Sequence, residues 1–215
     1  MAERSDQKGA RIFDYSLWHL LLVCVAASGA GFWVENLFRL VTKGVLDSRH
    51  QLFPFLFAYA LAIFVLYAVF GTPQRMRFFG VRLLAAQTKA NAALRALAYF
   101  LLLFFSIFLG EMGFGLLCER VSGVRFWDYS DIPLHVTRYT SVPTCLLFSL
   151  GILLLMRFAF EPLMRRLSRM PLSAARPLAI ALCALIFADF LVMSVSLYAF
   201  KTLPEYWSIR FPWAD

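Results

Sequence analysis

The sequence predicts an all-α integral membrane protein, a bundle of about five transmembrane helices, and three observations carry that expectation. The first is composition. Of 215 residues, 61% are hydrophobic and 16% charged, with a mean hydropathy of +0.70, whereas a soluble domain averages about 45–50% apolar and about 25% charged residues. The second is a series of apolar runs, each near the roughly 20 residues needed to cross about 30 Å of hydrocarbon. The third is the length of those runs. Lipid offers the backbone no hydrogen-bond partners, and runs this long exceed a barrel strand, so each must be a helix.

In chain order the runs cover about 16–40, 53–70, 93–118, 142–160 and 178–200, which makes the whole chain a single transmembrane domain. The first begins after basic residues and contains LWHLLLVCVAASGA, whose small residues Ala26, Ala27, Ser28 and Ala30 imitate a signal-peptide cleavage site. The apolar pattern continues through Gly31, Phe32, Trp33 and Val34, so the expectation is an uncleaved first span whose small residues mark close helix contact.

Between the second and third runs, TPQRMRFFGVRLLAAQTKANAALR reads as an interfacial amphipathic helix over about 72–92. Thr72 would cap it with Pro73 in its first turn. Arg75, Arg82 and Lys89 fall seven apart on one side, and Met76, Phe79 and Leu83 supply an apolar side. Such a helix lies against anionic headgroups or docks a cytoplasmic partner. The basic stretch MRRLSRM at 164–170 allows the same two readings. Arg75, Arg77, Arg82, Arg165, Arg166 and Arg169 are therefore the candidate lipid or partner contacts.

Orientation follows from the basic residues. The N-terminal tail, the second connection and the segment around the fourth connection carry 13 of the 21 Lys and Arg residues, and the alternate segments carry 8. The positive-inside rule then puts the N-terminus in the cytoplasm and the C-terminus outside, in a bacterial inner membrane. The net charge of +8 fits this asymmetry and attraction to anionic lipid; a nucleic-acid partner would need a soluble basic domain. Cys24, Cys118, Cys145 and Cys183 form no C-x-x-C pair, and His19, His50 and His135 are scattered, so no metal or other cofactor is expected. There is no G-x-x-x-x-G-K-[ST], so ATP, if used, must bind another subunit.

Ionisable groups within apolar spans are costly and mark candidate sites. Glu35 in GFWVENLF, Glu111 in FLGEMGFG and Asp189 in IFADFLV qualify. Asp189 reads as a proton or substrate site, or as a satisfied interhelical hydrogen bond. Glu35 and Glu111 invite comparison as a pair, because each sits late in a span and is followed by a Gly-Val pair, an Asp, a Pro and a new apolar run. That suggests two weakly related helix-hairpin repeats, the alternative being two unrelated hairpins.

The stretch GVRFWDYSDIPLHV, 123–136, packs Trp127, Asp128, Tyr129, Ser130 and Asp131 between the third and fourth spans. Trp127 and Tyr129 suit headgroup depth, and Asp128, Asp131, Glu119 and Glu111 can pair with Arg120, Arg125 and Arg138. The cluster reads either as a stapled outer loop or as the acidic, aromatic mouth of a pathway above Glu35 and Glu111. Gly110, Gly113 and Gly115 would let helices approach or bend beside Glu111.

The run from Gly110 through Leu154, with Glu111, Gly115, the Trp-Asp-Tyr-Ser at 127–130 and FSLGILL, resembles the type IV ABC-transporter permease family of small bacterial membrane proteins. Gly31-x-x-x-Glu35 followed by LDSRHQLFPFLFAYAL looks like that family's first-half pattern. Here Asp47, Ser48, Arg49 and His50 stand where the family favours Asn-Arg-Gly, and Gln51, Leu52 and Phe53-Pro54-Phe55 replace its Gly-Pro and Pro-Ile-Tyr-Gly elements. The resemblance implies a permease-like transport subunit working with a separate ATPase, with Glu35, Glu111 and Trp127 to Ser130 as its functional set. Two other readings stay open: a scaffold or assembly subunit, and, with less support, a membrane-embedded enzyme on lipid-linked substrates. No nucleophile and base occur at diagnostic spacing.

Overall fold

A computed structural model describes residues 10–86 and 88–211. Its apolar runs are helical, except that the second becomes helical only from Phe57. A short hairpin, β1 (Arg11–Ile12) and β2 (Tyr15–Ser16), leads into α1 (Leu17–Lys43); β3 (Val45–Asp47) and a loop lead to α2 (Phe57–Phe70). Then come β4 (Gly71–Thr72), β5 (Arg75–Phe78), β6 (Val81–Arg82) and α3 (Lys89–Ser122). The hairpin β7 (His135–Thr137) and β8 (Thr140–Ser141) precedes α4 (Val142–Leu154), which passes through a π-helical turn (Leu155–Ala159) into α5 (Phe160–Leu167). The chain closes with α6 (Leu172–Ala199) and β9 (Ser208–Arg210).

Four stretches, Leu17–Lys43, Lys89–Ser122, Val142–Leu167 and Leu172–Ala199, are long and apolar enough to cross a membrane. With 14 residues, α2 rises about 21 Å, less than a full hydrocarbon thickness. The fold class is thus that of an all-α membrane protein. Helix ends obey local chemistry. Gly44 (φ 60°) and Gly123 (φ 75°) close α1 and α3 in the left-handed conformation that glycine adopts without steric cost. Thr88 and Ser141 cap α3 and α4 by accepting the N–H of Asn91 and Thr144. Pro162, without an N–H to give the preceding turn, lies in the first turn of α5, just past the π-helical turn.

One sequence expectation is corrected. Among the described residues of 72–88 there is no amphipathic helix; they hold a three-stranded antiparallel meander, in which Gly71 pairs with Met76, Thr72 with Arg75, Arg77 with Arg82 and Phe78 with Val81. The physical reason lies in Phe79 and Gly80, both at positive φ (45° and 89°). Two successive left-handed residues make the turn that matches the twist of a two-residue hairpin and that no helix contains. The helix starts at Lys89, and the sevenfold spacing of basic residues is carried by strands and a helix end.

The chain divides into two compact units, residues 1–66 with 163–215, and residues 67–162. In the first, α1 packs along α6 over Leu22, Ala175 and Ala179, with Trp18, Leu21, Leu167, Met170 and Leu182 around them. β3 pairs antiparallel with β9, Leu46 opposite Ile209. Gly31 is required by a close approach: a Cβ there would fall within the ring of Tyr59. Phe57 stacks on Phe190 at 4.6 Å.

In the second unit α3 packs on α4, and the glycine device recurs, since a Cβ at Gly115 would fall within the ring of Tyr139. Nothing lies within 4 Å of a Cβ at Gly110 or Gly113, so of these three glycines close packing explains Gly115 alone. The base of α3 holds the meander, with Tyr99 donating to Gly71 O at 3.1 Å and Arg95 to Leu84 O at 2.5 Å.

Candidate functional site

In the first unit the end of α1 and the loop after it form an ionic knot. Arg49 donates to Glu35 through Nε at 2.8 Å and pairs with it through a terminal nitrogen at 2.6 Å. Arg39 pairs with Asp47 at 2.7 Å, and Asp47 also lies 3.9 Å from Arg49. Buried Asn36 accepts the Asp47 N–H at 2.8 Å. The knot alternates charge along its length, so each carboxylate is neutralised by a guanidinium.

The loop holding this knot is strained at Arg49 and His50, which both have positive φ (51° and 64°). His50 Nδ1 bonds Pro204 O at 3.0 Å, which ties the loop to the C-terminal segment. Burial pushes the His50 imidazole below its ordinary pKa, with Arg49 beside it acting in the same direction against the Pro204 bond. On α6, Asp189 is buried and accepts the backbone N–H groups of Leu52 and Phe53, each at 2.9 Å. Its two oxygens therefore clamp the loop entering α2, so its hydrogen-bond partners are loop backbone groups and not a neighbouring helix.

In the second unit Trp127 is the centre of the predicted cluster. Its Nε1 donates to Tyr139 O at 2.8 Å, and its ring stacks on Phe114 and meets Phe126 and Tyr139 edge-on. Asp128 is exposed, accepts the Ser130 N–H at 2.8 Å and lies 3.7 Å from Arg125. The Ser130 hydrogen bonds hold its carboxyl below the usual range, with Arg125 and Arg138 helping. Tyr129 donates its backbone N–H to Arg138 O, and Ser130 and Asp131 are exposed. Glu119 gathers Arg125 and Arg138 at 3.4 and 3.3 Å. Burial, then Glu119, pushes the Tyr139 hydroxyl up to about 12.

Glu111 on α3 is half-buried, with the Cys145 thiol 3.7 Å away as a donor. Glu35 belongs to the first unit and Glu111 to the second, each with its own partners. The halves share a tyrosine seated on a glycine four residues from the carboxylate, but the order differs: Gly31 precedes Glu35, and Gly115 follows Glu111. Arg75 and Arg82 are exposed on the meander, and Arg165, Arg166 and Arg169 are exposed at the end of α5 and the turn after it.

Sequence reasoning missed Asp47 and Arg49 as members of the knot and His50 as the loop's tie to Pro204, although the chain's departure from the family pattern at these positions pointed there. It also missed that RIFDYS at 11–16 echoes RFWDYS at 125–130.

Among the described residues, the geometry is that of a membrane protein with ionic clusters at its helix ends. No curated protein and no solved structure matches the chain. A family model described as "Putative ABC-transporter type IV" matches residues 22–194, well over half of the chain and inclusive of the knot, Asp189 and the Trp127 cluster. The chain therefore belongs to that family of ABC-transporter-type membrane proteins.

Proposed function

We propose that the protein is a permease-like subunit of a transport system in the bacterial inner membrane, with its N-terminus cytoplasmic and ATP hydrolysis supplied by a separate subunit. The observation that carries this reading is the family match, which spans nearly every apolar helix. In this reading Trp127 through Asp131 line the outer mouth, and Glu111, half-buried beside a thiol, is the carboxylate best placed to exchange a proton or bind a cation or amine. Glu35 and Asp189 hold the first loop in shape.

A scaffold role is the second reading, favoured by one observation: Glu35, Asp47, Glu119 and Asp128 are already engaged by arginines. Purification of the full chain from its native membrane in mild detergent separates the two. Transport predicts stoichiometric recovery of a subunit that carries a phosphate-binding loop and hydrolyses ATP, with hydrolysis altered by Glu111→Gln. A partner without ATPase activity supports the scaffold and overturns the transport reading. Orientation is tested by Ser130→Cys, which should react with an impermeant thiol reagent from outside intact cells.

A further inference from the structure

A cleft of about 450 Å³ opens in the first unit where α1 and α6 both begin, between the β1–β2 hairpin and the end of α5. Three guanidiniums, Arg11, Arg165 and Arg169, line it, together with Ser16, Ser168 and a single carboxylate, Asp14. Arg165 and Arg169 are exposed, sit one helical turn apart and make no ion pair with a described residue. Arg11 is steadied by donating to Asp14 O at 2.6 Å. His19, also on the wall, is occupied by Met170 O.

Two further observations point to an anion. Both helices aim their positive N-terminal ends at the cleft, and neither has an acidic residue in its first turn, where one would ordinarily offset the dipole. Ser16 is the N-cap of α1, yet its hydroxyl makes no capping bond; it is buried against the cleft without a partner among the described residues. A hydroxyl in that place ordinarily accepts an N–H of the first turn. Here it remains free to donate to an incoming oxygen.

We propose that this cleft is a binding site for one phosphate group, clasped by Arg165 and Arg169, with Arg11 and the Ser16 hydroxyl completing the shell. Planar guanidiniums suit phosphate because they offer paired N–H donors. The volume falls among those of small-molecule sites, so the phosphate arrives on a larger body, either an anionic lipid headgroup or a soluble phosphorylated compound. The inference does not depend on the transport reading.

The test is thermal unfolding of the full chain in a phosphate-free maltoside detergent, alone, with added phosphatidylglycerol, and with added inorganic phosphate or glycerol 3-phosphate. Stabilisation by phosphatidylglycerol alone identifies a lipid headgroup, and stabilisation by a soluble phosphate identifies a soluble ligand. Either should be weakened at least about tenfold in apparent affinity by Arg165→Gln with Arg169→Gln and kept by Lys43→Gln with Arg120→Gln, exposed basic positions outside the cleft. Arg165→Lys with Arg169→Lys, which preserves charge and loses the paired donors, should bind at an intermediate level and serves if the glutamine variant does not fold. The proposal is overturned if no phosphate-bearing probe stabilises the protein, or if the lysine and glutamine variants respond as wild type does.

Discussion

Asp189 on α6 accepts the backbone N–H of Phe53 at 2.9 Å with one oxygen, while its other oxygen accepts that of Leu52 at the same distance. A carboxylate offers acceptors on both sides, so two adjacent N–H groups of an irregular loop are satisfied at once. Asp189→Asn turns one acceptor into a donor that faces an N–H. The expected loss is about 1–3 kcal/mol, read as a lower unfolding temperature in detergent with increased labelling of a cysteine placed at Leu52. Wild-type behaviour in both measurements would remove the clamp from the account.

The glycines test close packing. Gly31→Ala and Gly115→Ala each place a methyl within a tyrosine ring near its Cβ, where the side chain has little freedom to swing away. Each should cost about 1–3 kcal/mol. Gly110→Ala and Gly113→Ala meet open space and should leave stability unchanged or raise it slightly, since alanine favours helix. Equal effects at all four positions would be inconsistent with the two seats.

The Arg49–Glu35 pair is mostly shielded, with side-chain exposures of 15% and 22%. Glu35→Gln or Arg49→Gln should each destabilise by about 1–3 kcal/mol, whereas the two changes together should cost less than their sum, because the partner left uncompensated by one is neutralised by the other. A double-mutant cycle on unfolding midpoints measures this coupling. Strict additivity would show that the pair is not coupled.

His50 carries both strain and a bond. His50→Gly relieves the positive φ but loses the Pro204 bond; His50→Ala loses the bond and keeps the strain. The glycine variant should be the more stable of the two by about 1 kcal/mol, which circular-dichroism melts would resolve.

His50 also sets a pH dependence. Its folded pKa lies below the ordinary 6.5, so the folded state favours the neutral ring. Its contribution is fully present above about pH 6.5 and declines as pH falls through the folded value. Unfolding midpoints between pH 7.5 and pH 5 should fall more steeply for wild type than for His50→Gln. Parallel slopes would place the titration elsewhere.

The two clusters differed in how readable they were. The Trp127 loop was legible because its residues lie within a few positions of each other, so Trp127, Asp128 and Arg125 had to be neighbours. The Asp189 clamp was not, because its partners are 136 and 137 residues away and are backbone groups, which no residue pattern marks. The meander was misread because sevenfold spacing of Arg75, Arg82 and Lys89 imitates a helix face, and the left-handed pair at Phe79 and Gly80 carries only a glycine as its sign.

By itself the sequence determined the class and the helices, because backbone hydrogen bonds must close within each apolar run once water is excluded. It also determined which carboxylates were anomalous. Only the tertiary structure decided what satisfies them: Arg49 for Glu35, two loop N–H groups for Asp189, and a thiol for Glu111. Partner choice depends on which atoms folding brings into hydrogen-bonding distance, and at Asp189 those atoms lie 137 and 136 residues away along the chain.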